Sequence, residues 1–122
     1  SNITGSGKAS FSRLENNRIK LFATANKQGY SSNLPREFAL EQNYPNPFNP
    51  GTTIKFAVPK EVKVNLSVFN ILGEKVKELI NEIMQPGYYE IEFNAFNLAS
   101  GVYLYRIHTG EFVQSKKMIL LR

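Results

Sequence analysis

The sequence predicts an all-β chain: a seven-stranded antiparallel β-sandwich over residues 37–122, preceded by an N-terminal β-hairpin. Three observations carry this. Apolar and polar residues alternate in run after run, the period of a half-buried strand. Turn residues recur between the runs at about the 8–12-residue spacing of a sandwich. Apolar residues make up 42% of a 122-residue chain, enough for one packed core in one domain.

At the start, Ser1-Asn2-Ile3-Thr4-Gly5-Ser6-Gly7 reads as a tag remnant or linker. No signal peptide or membrane-length apolar run follows, so the sequence is expected to be a piece of a longer protein. Lys8 to Leu14 and Arg18 to Thr24 flank Glu15-Asn16-Asn17. Asn tolerates left-handed conformations, so residues 8–25 read as a hairpin. Two strands alone are marginal in water. Phe11, Leu14, Ile19, Leu21 and Phe22 carry too much apolar surface to stay wet. The hairpin is expected to be the end of a preceding domain. It would pack on the sandwich or pair with a neighbouring chain, a dimer being one outcome. Residues 26–36 are polar, with Gly29 and Pro35 near their ends, and read as a linker.

Within 37–122, strands are predicted over 53–58, 62–69, 88–94, 101–108 and 111–121. Thr53-Ile54-Lys55-Phe56-Ala57-Val58 alternates and stops at Pro59, which has no N–H for a ladder. In Val62 to Phe69, the even-numbered Val62, Val64, Leu66 and Val68 share one face. Tyr89, Ile91 and Phe93 point inward from 88–94, and Glu90 and Glu92 point outward. Val102-Tyr103-Leu104-Tyr105-Arg106-Ile107 is apolar on both faces, which marks a central strand. Glu74 to Glu82 is ambiguous, because Val76, Leu79 and Ile80 have helical spacing. A strand is favoured there, since Asn70-Ile71-Leu72-Gly73 resembles a hairpin turn. The predicted core is Val64, Leu66, Val68, Ile91, Phe93, Leu104 and Ile107.

Composition excludes much chemistry. The chain has no Cys, no Asp and one His, so disulfides, thiolate zinc sites, clusters of several His or Asp ligands and a Ser-His-Asp triad are all ruled out. No cofactor or metal is called for, and the chain is not expected to be an enzyme. Fifteen Lys and Arg against ten Glu give a net charge of +5, which favours anionic partners. A nucleic-acid patch from Lys75, Lys77, Lys116 and Lys117 would lack interleaved aromatic platforms. His108 reads as an exposed strand-end residue, and Glu90 with Glu92 as solvated charges rather than a glycosidase pair. A carbohydrate-binding sandwich is the stronger rival, with Tyr88, Tyr103 and Tyr105 as the platform if their rings lie coplanar and exposed.

The most unusual segment is Asn43-Tyr44-Pro45-Asn46-Pro47-Phe48-Asn49-Pro50. Its prolines fix φ, its Asn side chains can satisfy backbone amides at the bends, and Tyr44 and Phe48 can anchor it to a sheet edge. It reads as a rigid loop closing one end of the sandwich, or as an aromatic–proline docking epitope.

This motif is followed in order by Thr52-Thr53-Ile54-Lys55-Phe56, Val68-Phe69-Asn70-Ile71-Leu72-Gly73, Pro86-Gly87-Tyr88-Tyr89, Ser100-Gly101-Val102-Tyr103-Leu104-Tyr105-Arg106 and Lys116-Lys117-Met118-Ile119-Leu120-Leu121-Arg122. Residues from about Phe38 to Arg122 thereby resemble the type A C-terminal sorting domain of the type IX (Por) secretion system. Where that family commonly ends in Lys, this chain has Arg122. The resemblance implies an immunoglobulin-like sandwich acting as an address label on a secreted or surface-bound cargo. The cargo would pass through the periplasm and outer membrane, and the partners would be the outer-membrane translocon and a sortase that removes the domain. By position, the resemblance assigns recognition to Gly87, Gly101, Val102, Tyr103, Lys116, Lys117, Met118 and Arg122. A basic, apolar terminal strand at a sheet edge could present unpaired backbone groups for strand addition. Lys116 and Lys117 would equally discourage promiscuous edge pairing. A passive or sugar-binding module of a secreted enzyme is the alternative.

Overall fold

A computed structural model describes residues 19–23 and 34–122, and among them there are eight strands and no helix. They are β1 (Ile19–Ala23), β2 (Ala39–Leu40), β3 (Gly51–Val58), β4 (Val62–Phe69), β5 (Lys75–Met84), β6 (Gly87–Asn94), β7 (Gly101–His108) and β8 (Val113–Leu120). Two four-stranded sheets result, ordered β1-β6-β3-β2 and β5-β4-β7-β8, with every strand pair antiparallel. Strands β2 to β8 are the seven expected of the sandwich. β1 extends the first sheet by pairing with β6, Ile19 opposite Ile91. The expected partner strand over 8–14 and residues 26–33 of the linker lie outside the described residues.

The inward-facing apolar positions of both sheets form one buried cluster that includes Ile54, Phe56, Leu66, Ile80, Ile91, Ile107, Met118 and Leu120. Alternation in β6 places Tyr89, Ile91 and Phe93 inside, as its pattern requires. Phe56 and Tyr89, directly opposite in register, stack with ring centroids 5.4 Å apart. β7 is central, but its faces are the reverse of those expected at one position. Tyr103, Tyr105 and Ile107 point inward, while Leu104 is 39% exposed on the outer face with Val102. Both faces of this strand are apolar, so alternation alone could not choose between them.

β5 is a strand, and its helix-like spacing has a definite origin. Leu66 pairs with Ile80 but Ser67 with Glu78, and Val68 with Lys77 but Phe69 with Lys75. Leu79 and Val76 are therefore the extra residues of two β-bulges. The bulge at Leu79 turns two successive residues, Leu79 and Ile80, toward the core. The preceding turn is held by Asn70, whose Oδ1 accepts from the amides of Leu72 (2.9 Å) and Glu74 (3.0 Å). Gly73 adopts φ 84°, a value that side chains disfavour.

Truncating Leu66 to Ala removes a fully buried side chain between the sheets and is expected to cost about 2–5 kcal/mol in denaturant unfolding. Leu104→Ala, on the outer face, is expected to cost under about 1 kcal/mol, because it leaves no cavity. Equal losses for the two variants would contradict the assigned facing of β7.

Candidate functional site

The segment joining β2 to β3 does what a regular strand cannot. It leaves the first sheet, crosses to the edge of the second and returns. Tyr44 exchanges backbone hydrogen bonds with Thr53 in β3, both 3.0 Å. Four residues later Phe48 forms a parallel bridge with β8. Its N–H donates to the Ile119 carbonyl, and its carbonyl accepts from the Leu121 amide, both 2.9 Å. The Phe48 ring is buried against Phe93 of the first sheet, centroids 6.2 Å apart. The Tyr44–Pro45, Asn46–Pro47 and Asn49–Pro50 bonds are cis.

Side chains satisfy what the crossing leaves unpaired. Asn43 Nδ2 donates to the Pro45 carbonyl (3.1 Å) and to Thr52 Oγ1 (2.9 Å). Thr52 Oγ1 in turn donates to that same carbonyl (2.8 Å). Asn43 and Thr52 are both buried, and no buried side-chain polar atom among the described residues lacks a partner. Gln42 Nε2 donates to the Lys117 carbonyl at 2.7 Å, and Asn46 Oδ1 accepts from the Ile119 amide at 2.9 Å. Both contacts lie along the outer edge of β8. The expectation that Tyr44 and Phe48 both anchor the segment holds for Phe48 alone. The Tyr44 ring is 81% exposed, and only its backbone holds the sheet.

Tyr105 is the residue that sequence reasoning misplaced. It is fully buried at the centre of β7, and its hydroxyl reaches the crossing segment from below. It donates to the Glu41 carbonyl (2.6 Å) and accepts from the Asn43 amide (2.7 Å). Burial pushes the Tyr105 hydroxyl up to about 12 from its usual 10, against the opposing pull of the Asn43 amide. Tyr103 is also buried, its hydroxyl donating to the Ala99 carbonyl at 2.7 Å. The sugar platform of Tyr88, Tyr103 and Tyr105 therefore does not exist: two of its rings face the core. Parity with Ile107 was the signal that could have placed both tyrosines inside.

The residues assigned to recognition fall into one main group. Gly101, Val102 and Tyr103 pair with Leu120, Ile119 and Met118 across the β7–β8 ladder. Gly101 sits at φ 152°, where the chain turns into β7. Met118 is fully buried, Lys116 is half-buried opposite Tyr105, and Lys117 is exposed opposite Leu104. Arg122 continues from β8. Its Nη1 donates to the carbonyls of Ala95 (3.0 Å), Phe96 (2.5 Å) and Leu98 (2.9 Å), closing the β6–β7 loop. Gly87 is apart from the others, buried at the opposite end of the first sheet and paired with Val58.

The remaining candidates do not converge. Lys75 and Lys77 lie on β5 and Lys116 and Lys117 on β8, at opposite edges of one sheet, so they form no single patch. His108 is exposed at the end of β7. Among the described residues, no three acidic or His side chains are placed to share a metal ion, and no helix is long and apolar enough to cross a membrane.

A family model described as "Secretion system C-terminal sorting domain" matches residues 42–121. No curated protein matches. Among solved structures, one is of PorZ, described as an essential bacterial surface component of the type-IX secretion system of Porphyromonas gingivalis. It shares the fold with a TM-score of 0.51 at 20% identity, over 83% of this chain. The chain spans only 13% of the PorZ length.

Tyr105→Phe leaves the Asn43 amide and the Glu41 carbonyl without their shared partner and is expected to cost about 1–3 kcal/mol at neutral pH. Below pH 10 the hydroxyl is protonated in both folded and unfolded chains, and its contribution is complete. Between pH 10 and 12 the unfolded chain releases the proton first. The advantage of the natural chain over Tyr105→Phe should then shrink by about 1.4 kcal/mol per pH unit. Denaturant unfolding of both chains from pH 8 to 12 reads this directly, and a constant difference would contradict it.

Proposed function

The chain belongs to the secretion system C-terminal sorting domain family, and from that premise we propose that it directs a larger cargo protein through the outer-membrane type IX translocon. The observation that carries this reading is the family match, which runs from the proline crossing to the end of β8. In this reading the cargo travels by way of the periplasm to the cell surface or the medium. The partners are the translocon and a sortase, and the domain is not itself an enzyme. Recognition lies with Gly101, Val102, Tyr103, Lys116, Lys117, Met118 and Arg122, with Gly87 contributing from the far end.

The burial pattern supports dividing these residues by task. Met118 and Tyr103 are in the core, and Arg122 is bonded to three carbonyls, so they shape the domain. Val102 and Lys117 present side chains on the outer face, so they can be read by a partner. The same pattern limits one obvious experiment. Deleting 116–122 would abolish export, but it would also take Met118 and Leu120 out of the core. Surface substitutions separate reading from folding.

A reporter with an export signal, fused ahead of the full 122-residue chain, is expected to reach the surface or medium in a host with this secretion system. It should stay in the periplasm of a host whose translocon is deleted. Glu90→Gln and His108→Ala should leave export intact. Equal export in both hosts would contradict the sorting role.

If a sortase removes the domain, the cut is expected between Gln28 and Arg36. Proteolysis needs exposed, extended backbone, and this stretch is polar and precedes the first strand of the sandwich. Mass spectrometry of the mature secreted cargo tests this. A C-terminus inside 53–122, or one retaining Arg122, would contradict removal at this site.

A further inference from the structure

The edges of the two sheets are not equally protected. β5, at one edge of the second sheet, is broken by two bulges. β8, at the other edge, pairs with β7 in unbroken register from Gly101 opposite Leu120 to His108 opposite Val113. A flat edge of this kind is a ready template for another strand. The crossing segment covers part of it. Lys117 C=O is held by Gln42, Ile119 N–H by Asn46, and Ile119 C=O and Leu121 N–H by Phe48.

All four of these groups belong to odd-numbered residues. In an antiparallel strand, alternate residues direct both backbone groups to the same edge. The N–H groups of Val113, Ser115 and Lys117, and the carbonyls of Val113 and Ser115, therefore also point away from β7. Among the described residues nothing pairs with them, and Val113, Ser115 and Lys117 are exposed. The strands at this edge carry charge of one sign, while Glu111, just before β8, is held by Lys60 and Glu41 lies on the crossing side. β7 and β8 carry Arg106, Lys116 and Lys117 and no carboxylate.

We propose that Val113–Lys117 is a docking edge that adds an extended acidic segment of a secretion-machinery partner as a further strand of the β5-β4-β7-β8 sheet. This rests on the sorting reading above and names how the terminal strand is read. Main-chain hydrogen bonds to the open groups supply the pairing, and acidic side chains beside Lys117 and Lys116 set the choice of partner. A second copy of this chain fits less well, because it would bring the same cations together across the new ladder.

The test uses the reporter fused to the full chain. The Ser115 N–H faces away from β7, so Ser115→Pro removes no rung of the β7–β8 ladder but blocks an incoming strand. With folding verified by thermal melting, Ser115→Pro is expected to export about tenfold less than Ser115→Ala, the effect of one or two lost main-chain bonds. Lys117→Glu should fall similarly while folding normally. A folded Ser115→Pro that exports as well as Ser115→Ala overturns the proposal and leaves the sorting reading standing. If Ser115→Pro does not fold, Val113→Pro, whose N–H faces the same edge, takes its place with the same readings. An unaltered chain that leaves the reporter in the periplasm overturns the sorting reading and this proposal with it. A concentration-dependent dimer that Ser115→Pro abolishes, seen by sedimentation, assigns the edge to a second copy and overturns the acidic partner.

Discussion

One hydroxyl ties the segment that leaves the first sheet to the centre of the second. Tyr105 sits in the centre of the second sheet and reaches the segment that leaves the first, donating to Glu41 and accepting from Asn43. The constraint it meets is general. A chain that crosses between sheets must abandon its ladder, and each buried backbone group so released needs another partner. Pro45, Pro47 and Pro50 lower that demand by carrying no N–H at all. Asn43, Thr52 and Tyr105 answer the rest from within, and Gln42 and Asn46 answer it from the rim. An asparagine–proline motif that looks like low-order loop sequence is thus a folded element whose buried side-chain polar groups all have partners.

This crossing also decides what the terminal strand exposes. By laying Phe48 beside Ile119 and Leu121, it covers the part of β8 nearest the chain end and leaves the part nearest β7's last residue open. Arg122 is drawn over the β6–β7 loop in the same way. The positions that the family places late in the domain are therefore mostly structural. They hold β7, β8 and the crossing in one geometry.

Much of the fold was legible in the sequence because period-2 patterning and turn residues report burial directly. β6 is the clean example, burying Gly87, Tyr89, Ile91 and Phe93 in alternation. The readings that fail do so where that signal is degenerate. β7 is apolar on both sides, which hid the inward placement of Tyr103 and Tyr105 and put Leu104 in the wrong layer. β5 looks helical because two bulges shift its phase, and a bulge has no fixed sequence signature. Tyr44 looked like an anchor, yet its backbone rather than its ring makes the contact. The family motifs could be found by resemblance, but their contacts could not. Asn43 meets Tyr105 across 62 residues of sequence, and no local pattern encodes that pairing.

The crossing segment closes the β8 edge at Ile119 and Leu121 and leaves it open before Lys117. Amide hydrogen exchange resolved by residue tests it most directly. Slow exchange is expected at Ile119 and Leu121, which donate to Asn46 and Phe48, and fast exchange at Ser115, which donates to nothing among the described residues. Exchange at Ile119 and Leu121 as fast as at Ser115 would mean that the crossing does not hold this edge.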